Sequence, residues 1–145
     1  MENYKKMNKY LSNLAVLNSK LHNLHWNVVG QQFMQVHQFT EALYDDFFVK
    51  YDDVAELMKM KGEMPLVKLN DYLENASIKE VDADKFSSVE VLEIVEADLK
   101  EMKALATEIR SEADAVDDFE IVGEFEEHIA SYSKNLWFIR AILSK

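Results

Sequence analysis

The chain has 145 residues, enough for one domain with a substantial core and too few for two ordinary ones. Nearly half of the residues are apolar (48%), which excludes a disordered chain, while 3 Gly and 1 Pro leave too little turn chemistry for an all-β fold. The absence of Cys excludes disulfides, thiolate metal sites and cysteine nucleophiles. A net charge of −11 repels phosphate backbones and makes cations the natural partners.

The start of the chain is polar and lacks the apolar centre of a signal peptide. No apolar run approaches the roughly 18 residues of a membrane span. The expectation is a soluble, cytoplasmic protein with no membrane contact. Lys5, Lys6 and Lys9 are the only basic cluster near an end, and read as the solvated face of a first helix.

That first helix is predicted from about Asn3 to Val28, with Met7, Tyr10, Leu14, Leu17, Leu21, Leu24 and Val28 as its apolar stripe. Gly30 follows as a stop. The second helix is predicted from about Gln32 to Lys61, on a stripe of Val36, Thr40, Leu43, Phe47, Tyr51, Val54 and Met58, closed by Gly62 and Pro65. Residues 62–86 form a long connection, in which LNDYLENAS makes a short helix with Asn70 as a candidate cap. The third helix starts near Ser87 or Ser88, with Ser88 and Glu90 or Glu93 as its opening signature, and buries Val91, Val95, Leu99, Met102, Ala106 and Ile109. EADAVDD reads as an acidic break. The fourth helix is predicted from about Asp118 to Leu143, with Val122, Phe125, Ile129, Tyr132, Leu136 and Ile139 inward. Short first and last turns with a long middle link predict an all-α fold over residues 1–145: a single ferritin-like four-helix bundle with one crossover.

The second helix carries another row one position on: His37, Glu41, Tyr44, Phe48, Asp52 and Glu56. His37 with Glu41, and Asp52 with Glu56, stand four apart and share a side. Fifteen residues separate His37 from Asp52, roughly 22 Å along a helix, so one chain cannot bring both pairs to one ion at ligand distances of about 2 Å. Two copies packed antiparallel about a two-fold axis near Asp46 and Phe47 can, and make two identical sites. His25 ends the first helix close to His37. The set is then His25, His37 and Glu41 from one subunit with Asp52 and Glu56 from its mate. Imidazole and carboxylate ligands with open positions suit iron, manganese or zinc.

The di-iron pattern of ordinary bundles, Glu-x-x-His, is missing, since none of the 4 His has a Glu three residues before it. Taken singly, each residue has an ordinary reading. His25 can be a hydrogen-bonded core residue, carboxylates at four-residue spacing are usually solvated, and Tyr44, Phe48 and Tyr51 can simply hold a dimer together. Trp26 fits core or interface. His22 reads as structural, on a different side of its helix, and His128 as a surface or packing residue.

The stretch LHNLHWNVVGQQFMQVHQFTEALYDDFFVKYDDVAELM resembles the Dps family of mini-ferritins. The shared pattern is His25-Trp26, Gly30, Phe33, Val36-His37, then Asp52 with Glu56, and the likeness extends through the connection to KNLWFIRAIL. The resemblance implies a hollow dodecamer of two-fold dimers with intersubunit ferroxidase sites. By position, His25 and His37 come from one subunit and Asp52 and Glu56 from the other. Glu41 replaces the family's common Asp and ligates directly or through a water. Trp26, beside the site, can supply an electron.

The implied activity is oxidation of Fe(II), preferably by hydrogen peroxide, with ferric oxide stored inside the shell and protection from oxidative damage as the outcome. A dodecamer carries about −130, which attracts Fe(II). Asp117, Asp118, Glu124 and Glu127 then line pores or nucleate mineral, or are ordinary surface charge. The alternative, non-specific DNA binding and nucleoid compaction, is not favoured, because the expected helices leave no lysine-rich tail and the chain is acidic.

Overall fold

The computed structural model describes residues 2–144. Seven elements follow in order: α1 (Glu2–Asn27), β1 (Val28–Val29), α2 (Phe33–Met60), α3 (Leu69–Asn75), β2 (Phe86–Ser87), α4 (Ser88–Ala115) and α5 (Phe119–Leu143). The four long helices form the expected bundle. Ion pairs between their flanks fix the antiparallel arrangement: Lys20 Nζ to Asp98 Oδ2 at 2.7 Å joins α1 to α4, and Lys61 Nζ to Asp118 Oδ1 at 2.8 Å joins the end of α2 to the start of α5.

All seven predicted stripe residues of the first helix are buried, as are those of α4, while Tyr51 on α2 and Ile129 on α5 are half-covered. Tyr10 meets Phe125 edge-on with centroids 5.0 Å apart, and Phe47 meets Tyr132 likewise at 6.0 Å. These four fully buried rings fill the middle of the bundle. Among the described residues, no helix is long and apolar enough to cross a membrane.

The helix ends repair several boundaries. α2 closes on a Gly62 with φ of 80°, where Gly62 N donates to Lys59 O and Glu63 N to Met58 O, both at 3.0 Å. That is the paired pattern a left-handed glycine permits. α4 is capped by Ser87, not Ser88: Ser87 Oγ accepts from Glu90 N at 3.1 Å while Glu90 Oε1 accepts from Ser87 N at 3.0 Å. Ser88 instead donates to Gln31 O at 2.5 Å. Asn70 does not cap the short helix; the cap position is Lys68, without a side-chain bond. The acidic break is shorter than expected, because EADA completes α4 and only residues 116–118 turn, with Asp117 at a φ of 56°.

A two-residue parallel bridge pairs Val28 with Phe86 and Val29 with Ser87, so the first helix stops one residue early. The long connection is bound along α1 by three asparagines. Asn8 Oδ1 accepts from Leu66 N at 3.1 Å, Asn13 Oδ1 accepts from Ser77 N at 2.8 Å and Ile78 N at 3.1 Å, and Asn23 Nδ2 donates to Val81 O at 3.0 Å. Tyr72, on α3 within the crossover, is buried and donates to Leu66 O at 2.8 Å. Replacing Asn13 with Ala strands two backbone donors under the connection, for an expected loss of about 2 kcal/mol. Chemical denaturation measures the loss, and faster amide exchange at Ser77 and Ile78 localises it.

Candidate metal centre

The end of α1 and the first turns of α2 bring His25 and His37 together. Their rings stack with centroids 3.6 Å apart and planes 12° from parallel. Each ring is held by the other residue's backbone: His25 Nδ1 donates to His37 O at 2.6 Å, and His37 Nδ1 donates to His25 O at 2.8 Å. With both Nδ1 atoms used as donors, each Nε2 keeps its lone pair, and the tautomer that binds a metal through Nε2 is the one the backbone selects.

Thr40 completes the clamp. Its Oγ1 receives the shared Nδ1–H of His25 at 3.1 Å and donates to Val36 O at 2.9 Å. Sequence reasoning placed Thr40 in the apolar stripe of α2. The signal of its role was there: a fully buried hydroxyl in an otherwise apolar row needs partners. Thr40→Val keeps the volume and removes the hydroxyl. The expected result is a 10–100-fold loss of Fe(II) affinity in anaerobic titration, the size typical of losing an orienting partner of a ligand.

Glu41 is exposed, with Oε1 3.9 Å from His25 Nε2, so it stands on the same side as the imidazoles. Asp52 and Glu56 are also exposed, further along the same row of α2. Tyr44 and Phe48 lie between the two pairs, and Phe48 is 65% exposed. Tyr44 has its hydroxyl pKa raised, by residual desolvation first and then by Glu41 and Asp45. The row is therefore solvent-facing in a single chain, with large rings set among carboxylates. Within the described residues of one chain, no three His, Asp or Glu side chains form a set that could hold a metal ion. His25 and His37 are brought together, and Asp52 and Glu56 stay at the other end.

Trp26 is 69% exposed beside this surface. His22 does not lie on a different side from His25. It stacks on Tyr44 at 3.8 Å, and His25 meets the same ring edge-on at 5.3 Å, because a three-residue step in a helix keeps nearly the same face. Its Nδ1 donates to Asn18 O at 2.6 Å, which supports a structural role. His128 is buried in the bundle, bonded to Tyr10 and Glu124, so the packing reading holds and the surface reading does not. Glu124 consequently faces inward. Asp118 caps α5 and pairs with Lys61, whereas Asp117 and Glu127 are free on the surface. At the centre of the row, Phe47 belongs to the core and Asp46 pairs with Lys50. The outward residues nearest the centre are Asp45, Phe48 and Val49.

Four antiparallel helices with a long crossover, and a histidine pair at one end of the second helix, define a ferritin-like bundle. The ferritin-like domain family matches residues 4–145. The chain is 33% identical over 137 residues to the DNA protection during starvation protein of Brevibacillus brevis, covering 94% of this chain and 91% of that one. It is 29% identical over 144 residues to the protein of the same name from Helicobacter pylori (strain J99), covering 99% and 100%. The crystal structure of Helicobacter cinaedi CAIP has a TM-score of 0.95 at 32% identity, covering 98% of this chain and 99% of that one. The chain belongs to the Dps family.

Proposed function

We propose that the protein is a ferroxidase that binds Fe(II) between two subunits, oxidises it with hydrogen peroxide in preference to dioxygen, and stores the ferric product in a hollow shell. The observation that carries this reading is the reciprocal lock of His25 and His37, which presents two Nε2 lone pairs at one end of a solvent-facing row whose other end offers Asp52 and Glu56. A two-fold dimer that pairs these ends completes two sites at once. The exposed Phe48 and Trp26 support it, since large rings in water mark a surface that a partner covers. Membership of the family supports assembly of such dimers into a dodecamer.

Iron is substrate here. The imidazoles hold Fe(II), the anionic carboxylates of Asp52 and Glu56 stabilise Fe(III) over Fe(II), and positions left open by these ligands admit the oxidant. Glu41 adds an oxygen ligand beside His25, directly or through a water. Trp26 stands close enough to the row to supply an electron. Manganese and zinc compete for the same ligands. The acidic chain concentrates cations and disfavours DNA, and its lack of Cys suits the cytoplasm.

The test is Fe(II) plus peroxide, followed by near-ultraviolet absorbance. In His37→Ala with Asp52→Ala the rate should fall by more than the ~10–100-fold typical of outer-shell changes. An unchanged rate overturns the reading.

A further inference from the structure

The centre of the bundle holds a polar chain that the iron site does not use. Tyr10, fully buried on α1, lies 2.8 Å from Nδ1 of His128 on α5, and Nε2 of His128 lies 2.9 Å from Oε2 of Glu124 one turn earlier. A carboxylate only accepts, so Nε2 carries the imidazole proton and Nδ1 accepts the phenol's. Tyr10 also shares a hydrogen bond with the buried hydroxyl of Tyr132. Glu124 is half-buried, so the chain runs from the middle of the core to the solvent.

Each member is set for proton movement outward. Burial pushes the Tyr10 hydroxyl far above its ordinary value, which denies it an anionic form. Burial, with the charge of Lys50, lowers His128 to about 3, so it stays neutral and takes a proton at Nδ1 only as Nε2 gives one up. Burial and the charges of Asp53 and Glu127 raise Glu124, so its carboxylate takes a proton more readily than an exposed one. A phenol in this setting loses an electron only if its proton leaves with it.

We propose that Tyr10 is an internal one-electron donor to the iron site, its phenolic proton passing to Nδ1 of His128 while Nε2 passes its own to Glu124. The proposal rests on the iron-oxidation reading above. The iron site concerned is the one built on this chain's own Asp52 and Glu56. On α2 the ammonium of Lys50 stands 5.5 Å from the Tyr132 ring and Phe47 packs on the same ring, whereas Asp52 and Glu56 face outward. One helix width, roughly 10–12 Å, separates the Tyr132 side of α2 from its outward side, and Tyr10 reaches this side of α2 through its hydrogen bond to Tyr132.

The chemistry balances when a site holds a single Fe(II). Peroxide needs two electrons and two protons to give two waters. Fe(II) supplies one electron and becomes Fe(III). Tyr10 supplies the other and becomes a neutral tyrosyl radical, with its proton held as the acid form of Glu124. The two protons of the waters come from solvent. Without a second donor, the O–O bond breaks with one electron and releases a hydroxyl radical.

Rapid freeze-quench electron paramagnetic resonance tests this, with one Fe(II) per site and excess peroxide, alongside near-ultraviolet absorbance for ferric product. Wild-type protein should give a tyrosyl signal that Tyr10→Phe lowers at least tenfold and Tyr44→Phe leaves in place. Tyr132→Phe should keep the radical but shift its g-values, because one hydrogen bond is gone. Glu124→Gln should slow its formation, because the proton of Nε2 then has no carboxylate to receive it. Ferric product without a tyrosyl signal, or a signal that survives Tyr10→Phe, overturns the proposal and leaves the ferroxidase reading standing. Absence of ferric product in the wild type overturns both.

Discussion

Subunits carrying His37→Ala, dissociated and reassembled with subunits carrying Asp52→Ala, should regain about a quarter of the wild-type rate of Fe(II) oxidation, while each variant alone stays inactive. The figure follows from two-fold symmetry: random pairing makes about half of the dimers mixed, and one of the two sites in each mixed dimer keeps both intact halves. A site contained in one chain would give no recovery, because every subunit in the mixture carries a lesion. The geometry favours recovery. His37 and Asp52 stand on one continuous helix with roughly 22 Å of rise between them, and Tyr44 and Phe48 hold the space between with no break in α2. Rate per subunit against mixing ratio is the measurement, and a flat zero across all ratios refutes the shared site.

The second large effect lies in the bundle. Lys20 and Asp98 join α1 to α4 through a 2.7 Å ion pair whose side chains are 5% and 13% exposed. Asp98→Ala leaves an ammonium in the core without its counter-charge, and should cost about 3–5 kcal/mol. Replacing both, Lys20→Met with Asp98→Leu, should bring stability back to the wild-type level or up to about 4 kcal/mol above it. Burial raises the Asp98 pKa against the lowering influence of Lys20. The folded state then holds that proton more tightly than the unfolded one, so this group's contribution declines as pH rises through the range just above 3.8. The double variant should lose that slope. Denaturant midpoints of the two variants across acidic pH separate the outcomes, and an Asp98→Ala protein as stable as wild type shows that the pair carries no such cost.

The sequence reveals the helices readily, because stripes of Leu, Val and Met at three- and four-residue steps respond to burial alone. The candidate site is legible for a related reason. Once the stripe of α2 is known, the row beside it stands out, since Phe48 among carboxylates suits neither core nor solvent. Local patterns did not show the pairings across the bundle. Lys20, Lys50 and Asp98 look like surface charges in any window, and only the helices packed beside them, α4 for Lys20, α5 for Lys50 and α1 for Asp98, decide that they are covered. The bridge of Val28 to Phe86 joins residues 58 positions apart, beyond any short-range signal. Ser87 and Ser88 are equally good caps on paper, and the bridge register chooses between them. The side of His22 is legible in the sequence, since three residues before His25 is nearly the same helix face, and its stacking on Tyr44 of α2 corrects the reading that set it elsewhere.

Each imidazole of His25 and His37 is oriented by the other residue's peptide carbonyl, and a substitution at either position leaves that carbonyl in place. The orientation is therefore stored in the main chain where the end of α1 meets α2, not in the neighbouring ring. Descendants of this chain can lose one histidine and still hold the other in its set tautomer, so the two positions are free to drift one at a time.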